Sequence, residues 1–186
     1  MTIEIVPGTV LVASVDTTDG VFDQTVVLII DADDTGTIGV ILNKYSSVDF
    51  SRALPAWAGL VSEPQVLFDG GPVSQQGAIC LAAPLHDGEE PPGWRPLFEG
   101  VGLLNLDTPV EIAHGAYSGL RVFAGYSGWG PGQLATELDF GLWHVVAGTA
   151  HDPFDPDPLT LWRRVLRRQG GDLALLSTWT SEAECN

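Results

Sequence analysis

Thr25-Val26-Val27-Leu28-Ile29-Ile30-Asp31-Ala32-Asp33-Asp34-Thr35-Gly36-Thr37-Ile38-Gly39-Val40-Ile41-Leu42-Asn43 reads as two apolar runs around a polar turn. Val, Ile and Thr pack well on a pleated surface, and turn residues bound each run, so residues 25–31 and 37–43 are expected as strands of a hairpin closed through residues 32–36. The runs are apolar at almost every position instead of at alternate ones. Runs of that kind imply that the central strands of the fold are covered on both faces.

Outward from it, residues 9–14, 65–68, 77–82, 102–106, 120–125 and 143–149 carry the same strand signature. Helical signals are fewer. Residues 49–60 are interrupted by Pro55, residues 108–114 begin with a Thr-Pro pair, and residues 131–138 follow a glycine-rich stretch. The strongest helix is the last. Asp157 stands at its cap and Pro158 at its first position; Leu159, Trp162, Val165, Leu166 and Gln169 share a face, and Gly170-Gly171 stops it. Strands in runs without regularly alternating helices indicate an α+β fold. The 186 residues suit a single compact domain spanning 1–186, and residues 84–96, rich in Pro and acid, read as an exposed excursion within it.

Eight basic against twenty-four acidic residues give a net charge of −16, which repels polyphosphate and argues against direct nucleic-acid binding. Half of the basic residues, Arg163, Arg164, Arg167 and Arg168, fall on the polar face of the last helix, read here as a solvated face offsetting the acidic field. No apolar run approaches the roughly 18 residues that span a membrane. The first residues carry no basic leader and there are only two cysteines, so residence in a reducing cytoplasm is expected. Cys80 reads as a core residue and Cys185 as a mobile terminal one.

Gly125-Tyr126-Ser127-Gly128-Trp129-Gly130-Pro131-Gly132-Gln133-Leu134 is the most distinctive segment, read as a loop between a strand and a helix. It comes close to the nucleophile elbow G-x-S-x-G, but Trp129 stands where the last glycine must allow close packing. As a phosphate loop it lacks the lysine, and Pro131 removes a donor. Residues 31–38 imitate a calcium loop, yet Leu42 stands where the bidentate Glu belongs. The His and three Asp of residues 151–157 are held extended by prolines and do not converge on a metal. No catalytic, metal or cofactor set is therefore assigned. Tyr126 and Trp129 offer flat surface with a polar handle. The Gly70-Gly71-Pro72 turn, whose glycines require close approach or special backbone, is expected as a second wall of a groove near Asn43.

Taken together, Gly8 to Ala13, the Gly39 to Asn43 run, Phe68-Asp69-Gly70-Gly71-Pro72-Val73, the Gly125 to Leu134 segment with Glu137, and Trp143 resemble the YqgE/AlgH family of bacterial proteins over nearly the whole chain. The resemblance implies one α+β domain with a mixed, partly barrel-like sheet and a few flanking helices. It supplies no established activity, and the alanine usual at position 127 counts against Ser127 as a nucleophile. The resulting expectation is a non-enzymatic binding or regulatory module. Asn43, Gly70, Gly71, Pro72, Tyr126, Gly128, Trp129, Gly130, Gln133 and Glu137 would form the site for a small ligand or a protein partner. The alternatives are a hydrolase using Ser127 or a metal held by Glu137, and a transcriptional regulator acting indirectly.

Overall fold

The computed structural model describes residues 4–18 and 20–180. In it β1 (Thr9–Ala13), β2 (Val26–Asp33) and β3 (Gly36–Ile41) form an antiparallel meander, and the central hairpin turns on Asp34 and Thr35 alone. The Asp33 carboxylate closes that turn by accepting from the Thr35 amide and hydroxyl at 2.7 and 2.5 Å. Along β2 the period-two alternation is visible in the packing. Val26, Leu28 and Ile30 join one cluster, while Val27 and Ile29 join another on the opposite face.

The remaining strands are β4 (Phe68–Asp69), β5 (Val73–Pro84), β6 (Trp94–Phe98), β7 (Val101–Leu104), β8 (Tyr117–Trp129) and β9 (Trp143–Ala147). They complete one sheet in the order β6-β7-β5-β8-β3-β2-β1-β9, with the short β4 running parallel to β8 and every other pair antiparallel. The sheet curls into a half-barrel. A single cluster draws on eight of the nine strands together with Leu161, Trp162, Val165 and Leu166, as only the inner face of a curled sheet can. The outer face carries two separate clusters, and Phe98 at the end of β6 lies directly on Gly8 before β1, bringing the far ends of the strand order together.

The helices are short: α1 (Phe50–Ala53), α2 (Val110–Ala113), α3 (Gln133–Asp139), α4 (Leu161–Gln169) and α5 (Gly171–Leu176). Pro55 does end α1 and starts a 3₁₀ turn that buries Trp57, and Asp49 caps α1 through the Ser51 amide. α4 plugs the concave side, its Trp162 indole donating to the Ala13 carbonyl at 2.9 Å. Its first turn differs from expectation. Pro158–Thr160 is 3₁₀, Asp157 accepts from the Thr160 hydroxyl without capping the backbone, and Leu159 lies 63% exposed while Leu161 takes the inward position.

The larger correction concerns the glycine-rich segment. Residues 125–129 are not a loop but the last part of β8, whose thirteen residues pair with β5, then β4, then β3. Gly125 takes φ +68°, and Gly70 and Gly71 lie backbone against backbone on residues 125–127. The Gly70 amide donates to Ala124 and its carbonyl accepts from Ile41, so this glycine pair stitches β8 to β3. Residues 94–98, of which 94–96 were expected in the 84–96 excursion, form the edge strand β6, with Pro96 blunting the edge. Cys80 is a buried free thiol whose burial pushes its pKa up, whereas Cys185 lies outside the described residues.

The arginine face of α4 is also corrected. Arg168 grips the buried Asp152 carboxylate with both terminal nitrogens at 2.5 and 2.7 Å, Arg164 pairs with Asp155 at 2.5 Å, and Arg163 donates to the Ser177 carbonyl. These cations staple the 152–157 turn and α5 onto the domain instead of lying free in solvent. Arg121, unremarked in the sequence, is 1% exposed. Its guanidinium donates to the carbonyls of Glu63, Pro153 and Asp155 and stacks 4.4 Å from the Phe68 ring centroid. Burial pulls its pKa down to about 10, against the opposing pull of Asp155 and Tyr45.

Two outcomes are expected. Gly71→Ala adds a methyl group into the Tyr126 carbonyl at φ +147°, and should destabilise by about 3 kcal/mol or more. Gly100→Ala, at φ +80° in open space, should cost only about 1–2 kcal/mol; equal denaturation midpoints would show that the close approach is not what glycine serves. His144 in β9 has a buried Nε2 with no hydrogen-bond partner, and burial lowers its pKa below 6.5. The unfolded chain therefore takes up a proton first as pH falls below 6.5, so wild type should lose stability relative to His144→Leu in that window, read as the difference in urea midpoints.

Candidate functional site

At the end of β8 the Trp129 side chain is sealed to 5% exposure, packed edge-to-face on Trp143 at 5.9 Å with Phe22 beside both. The next residues turn sharply. Pro131 ends the strand, Gly132 at φ +75° leads into α3, and the four-residue spacing on α3 sets Gln133 and Glu137 on one side. Glu137 Oε2 accepts both indole N–H groups, from Trp129 and Trp143, at 2.8 Å each. Glu137 Oε1 accepts from the Gln133 amide at 3.0 Å, and Gln133 in turn accepts from the Gly130 backbone N–H at 3.0 Å. Both Glu137 oxygens and the Gln133 side-chain oxygen are thus engaged within the fold.

Ser127 is fully buried and donates its hydroxyl to the Gly70 carbonyl at 3.2 Å, so it presents no oxygen to a substrate. The Glu137 carboxylate, the other candidate for hydrolytic chemistry, has both oxygens engaged. Asn43 holds the entry to β2, accepting from Val26 N–H and donating to the Gln24 carbonyl, both at 2.9 Å. Trp129 pairs with Thr37, and Asn43 stands six residues further along that chain, about 20 Å away at the rise of an extended strand. The expected neighbourhood of Asn43 with the Trp129 end is therefore corrected.

What the strand end does form is a cleft of about 310 Å³ between the β2–β3 hairpin and β8. Its walls include Tyr126, Gly128, Trp129 and Gly130 from the expected set, with Val73, Asp31, Asp33 and Thr37 added by the fold. A second cleft of about 450 Å³ shares Asp33, Gly36, Thr37 and Gly130 and continues toward α3. Of the other expected residues, Gly70 and Gly71 lie buried beneath the 125–127 backbone, Pro72 is exposed at the entry to β5, and Gln133 and Glu137 buttress Trp129 from behind. Asp31, Asp33 and Asp34 meet no basic side chain among the described residues, and hydrogen bonds from Thr35 hold the Asp33 carboxyl below its usual range. The described residues contain no group of three metal-ligating side chains, and no helix long and apolar enough to cross a membrane.

The model of the AlgH-like family matches residues 10–174. The chain belongs to that family. It is 44% identical over 182 residues to a UPF0301 protein from Streptomyces coelicolor, covering 96% of this chain and 94% of that one. A UPF0301 protein from Mycobacterium tuberculosis is 38% identical over 174 residues, covering 92% and 86%. Among solved structures, a protein from Corynebacterium diphtheriae superposes with a TM-score of 0.90 at 34% identity, covering 96% of this chain and 95% of that one. The AlgH protein from Pseudomonas aeruginosa superposes at 0.70 with 23% identity, covering 98% and 99%, a likeness of fold. These relatives carry no established activity.

This AlgH-like chain has a larger opening, of about 840 Å³, at the other end of β8, bordered by the 84–90 loop, Trp94, Pro96, Ser118, Gly119, His151 and Phe154. Residues 84–96, expected as an exposed excursion, instead supply much of its border. Its signal was Trp94 inside a proline-rich acidic run, and only the pairing of β6 with β7 turns that tryptophan into a wall.

The Glu137 corner yields a direct expectation. Glu137→Leu strands two buried indole N–H groups and should destabilise by about 2–5 kcal/mol, whereas Glu137→Gln keeps an acceptor and should cost about 1 kcal/mol. Near-UV circular dichroism of the Trp129–Trp143 pair should fall with the first variant and persist with the second.

Proposed function

We propose that this chain is a binding module without catalytic machinery of its own, recognising a peptide segment of a partner protein in the cleft beside Tyr126, Gly128, Trp129 and Gly130. The observation that carries the reading is how the polar groups there are used. Ser127 and Glu137, the two groups suited to hydrolysis, are consumed by the fold, while Asp31 and Asp33 stay exposed with no basic neighbour among the described residues. Carboxylates beside the apolar surface of Tyr126 and Val73 suit a segment bearing Lys or Arg, and the same field disfavours nucleic acid. The Glu137 corner fixes Trp129 beforehand, so binding costs little ordering of the wall.

Regulation by such a module acts through its protein partner and not through contact with DNA. Three of the four α4 arginines serve the fold, leaving little of the cationic face that a DNA contact would need. The proposal includes residence in the cytoplasm, for which the buried free thiol of Cys80 is the support.

Selection of short random peptides against the protein tests this reading. Enriched sequences should be rich in Lys and Arg, shift the amide resonances of Gly128 and Gly130, and bind about tenfold more weakly to Asp31→Asn/Asp33→Asn. Enrichment without basic residues, or resonance shifts confined to other surfaces, would refute the assignment.

A further inference from the structure

The opening at the far end of β8 has walls and a charge that the proposed peptide cleft does not explain. Trp94 lies against Gly102, where any side chain would collide with the ring and with the Arg95 carbonyl, and its N–H is fixed on the Ala82 carbonyl at 2.9 Å. Phe154 lies across Gly119 in the same way, 2.8 Å from where a Cβ would stand. Two aromatic side chains are thus held in place by glycines on β7 and β8, the two strands that flank β5, and both border one cavity of about 840 Å³, within the range of small-molecule sites. Its lining contains no lysine or arginine, and includes Glu89, Glu90 and Glu99, none of which forms an ion pair among the described residues.

We propose that this cavity binds a small organic ammonium ion bearing an apolar or aromatic body. The body lies against Trp94 and Phe154, and the ammonium group is held by the ring faces and by the carboxylates at the mouth. Charge complementarity chooses the class: an anion would meet uncompensated carboxylates, and a neutral ligand would leave them unused. The inference is independent of the peptide reading, because the two openings lie at opposite ends of a thirteen-residue strand.

Phenethylammonium is the probe, titrated against the full chain and followed by amide resonances. Binding with a dissociation constant of about 1 mM or tighter is expected, with shifts at Gly88, Gly100 and Gly119 and none at Gly128 or Gly130. The neutral isostere 2-phenylethanol and the ringless cation spermidine should each bind at least about tenfold more weakly. Glu89→Gln/Glu90→Gln/Glu99→Gln, all exposed positions, should fold normally and lose about tenfold in affinity for the amine. Phe154→Leu removes the ring while keeping an apolar side chain over Gly119, and should weaken binding of the amine; unchanged affinity in it would count against the proposal. Equal binding of 2-phenylethanol, equal binding of spermidine, unchanged affinity in the triple variant, or shifts elsewhere would each overturn the proposal.

Discussion

Backbone packed directly on backbone, where Gly70 and Gly71 lie against residues 125–127, is the constraint on which the sheet depends. β8 must pair with β5 over its first part and with β3 over its last, and the chain of β4 has to enter between them. There is room for that entry only if neither Gly70 nor Gly71 carries a side chain, and only if Gly125 can take a positive φ. The half-barrel, the position of Trp129 and the cleft beside it all follow from this crossing.

The same crossing decides the chemistry of the corner above it. Extending β8 through Trp129 drives a large aromatic side chain into the outer core, where its N–H needs an acceptor. Glu137 answers for Trp129 and Trp143 together, and it is oriented by Gln133. Three N–H bonds hold that carboxylate in one place, which makes the corner a rigid wall.

Electrostatics divides the molecule between inside and outside. Lys44, Arg121, Arg163, Arg164 and Arg168, five of the eight basic residues, engage carboxylates or carbonyls of the chain itself. Most of the acidic residues are left without a basic partner among the described residues. Both openings therefore present carboxylates without internal partners, and a cation is the natural complement of either.

The sequence by itself determined the elements whose signal is local. The Val- and Ile-rich runs around Thr25 to Asn43 specified the central hairpin, Pro55 ended α1, and Gly170 ended α4, because β-branching, proline and positive φ act within a few residues. The ordered motifs also sufficed for the family. What required tertiary structure was every feature made by segments distant in the chain. Five residues of glycine-rich character became strand because β3 and the Gly70-Gly71 pair supplied hydrogen bonds and a surface that only glycine can approach. Arg121 and the α4 arginines found carbonyls and carboxylates that no sequence spacing announces. Of the expected site, Tyr126, Gly128, Trp129 and Gly130 share a cleft, while Asn43 was carried to the other end of β3 by strand register. Register is a property of pairing, and pairing is settled by which faces must be buried together.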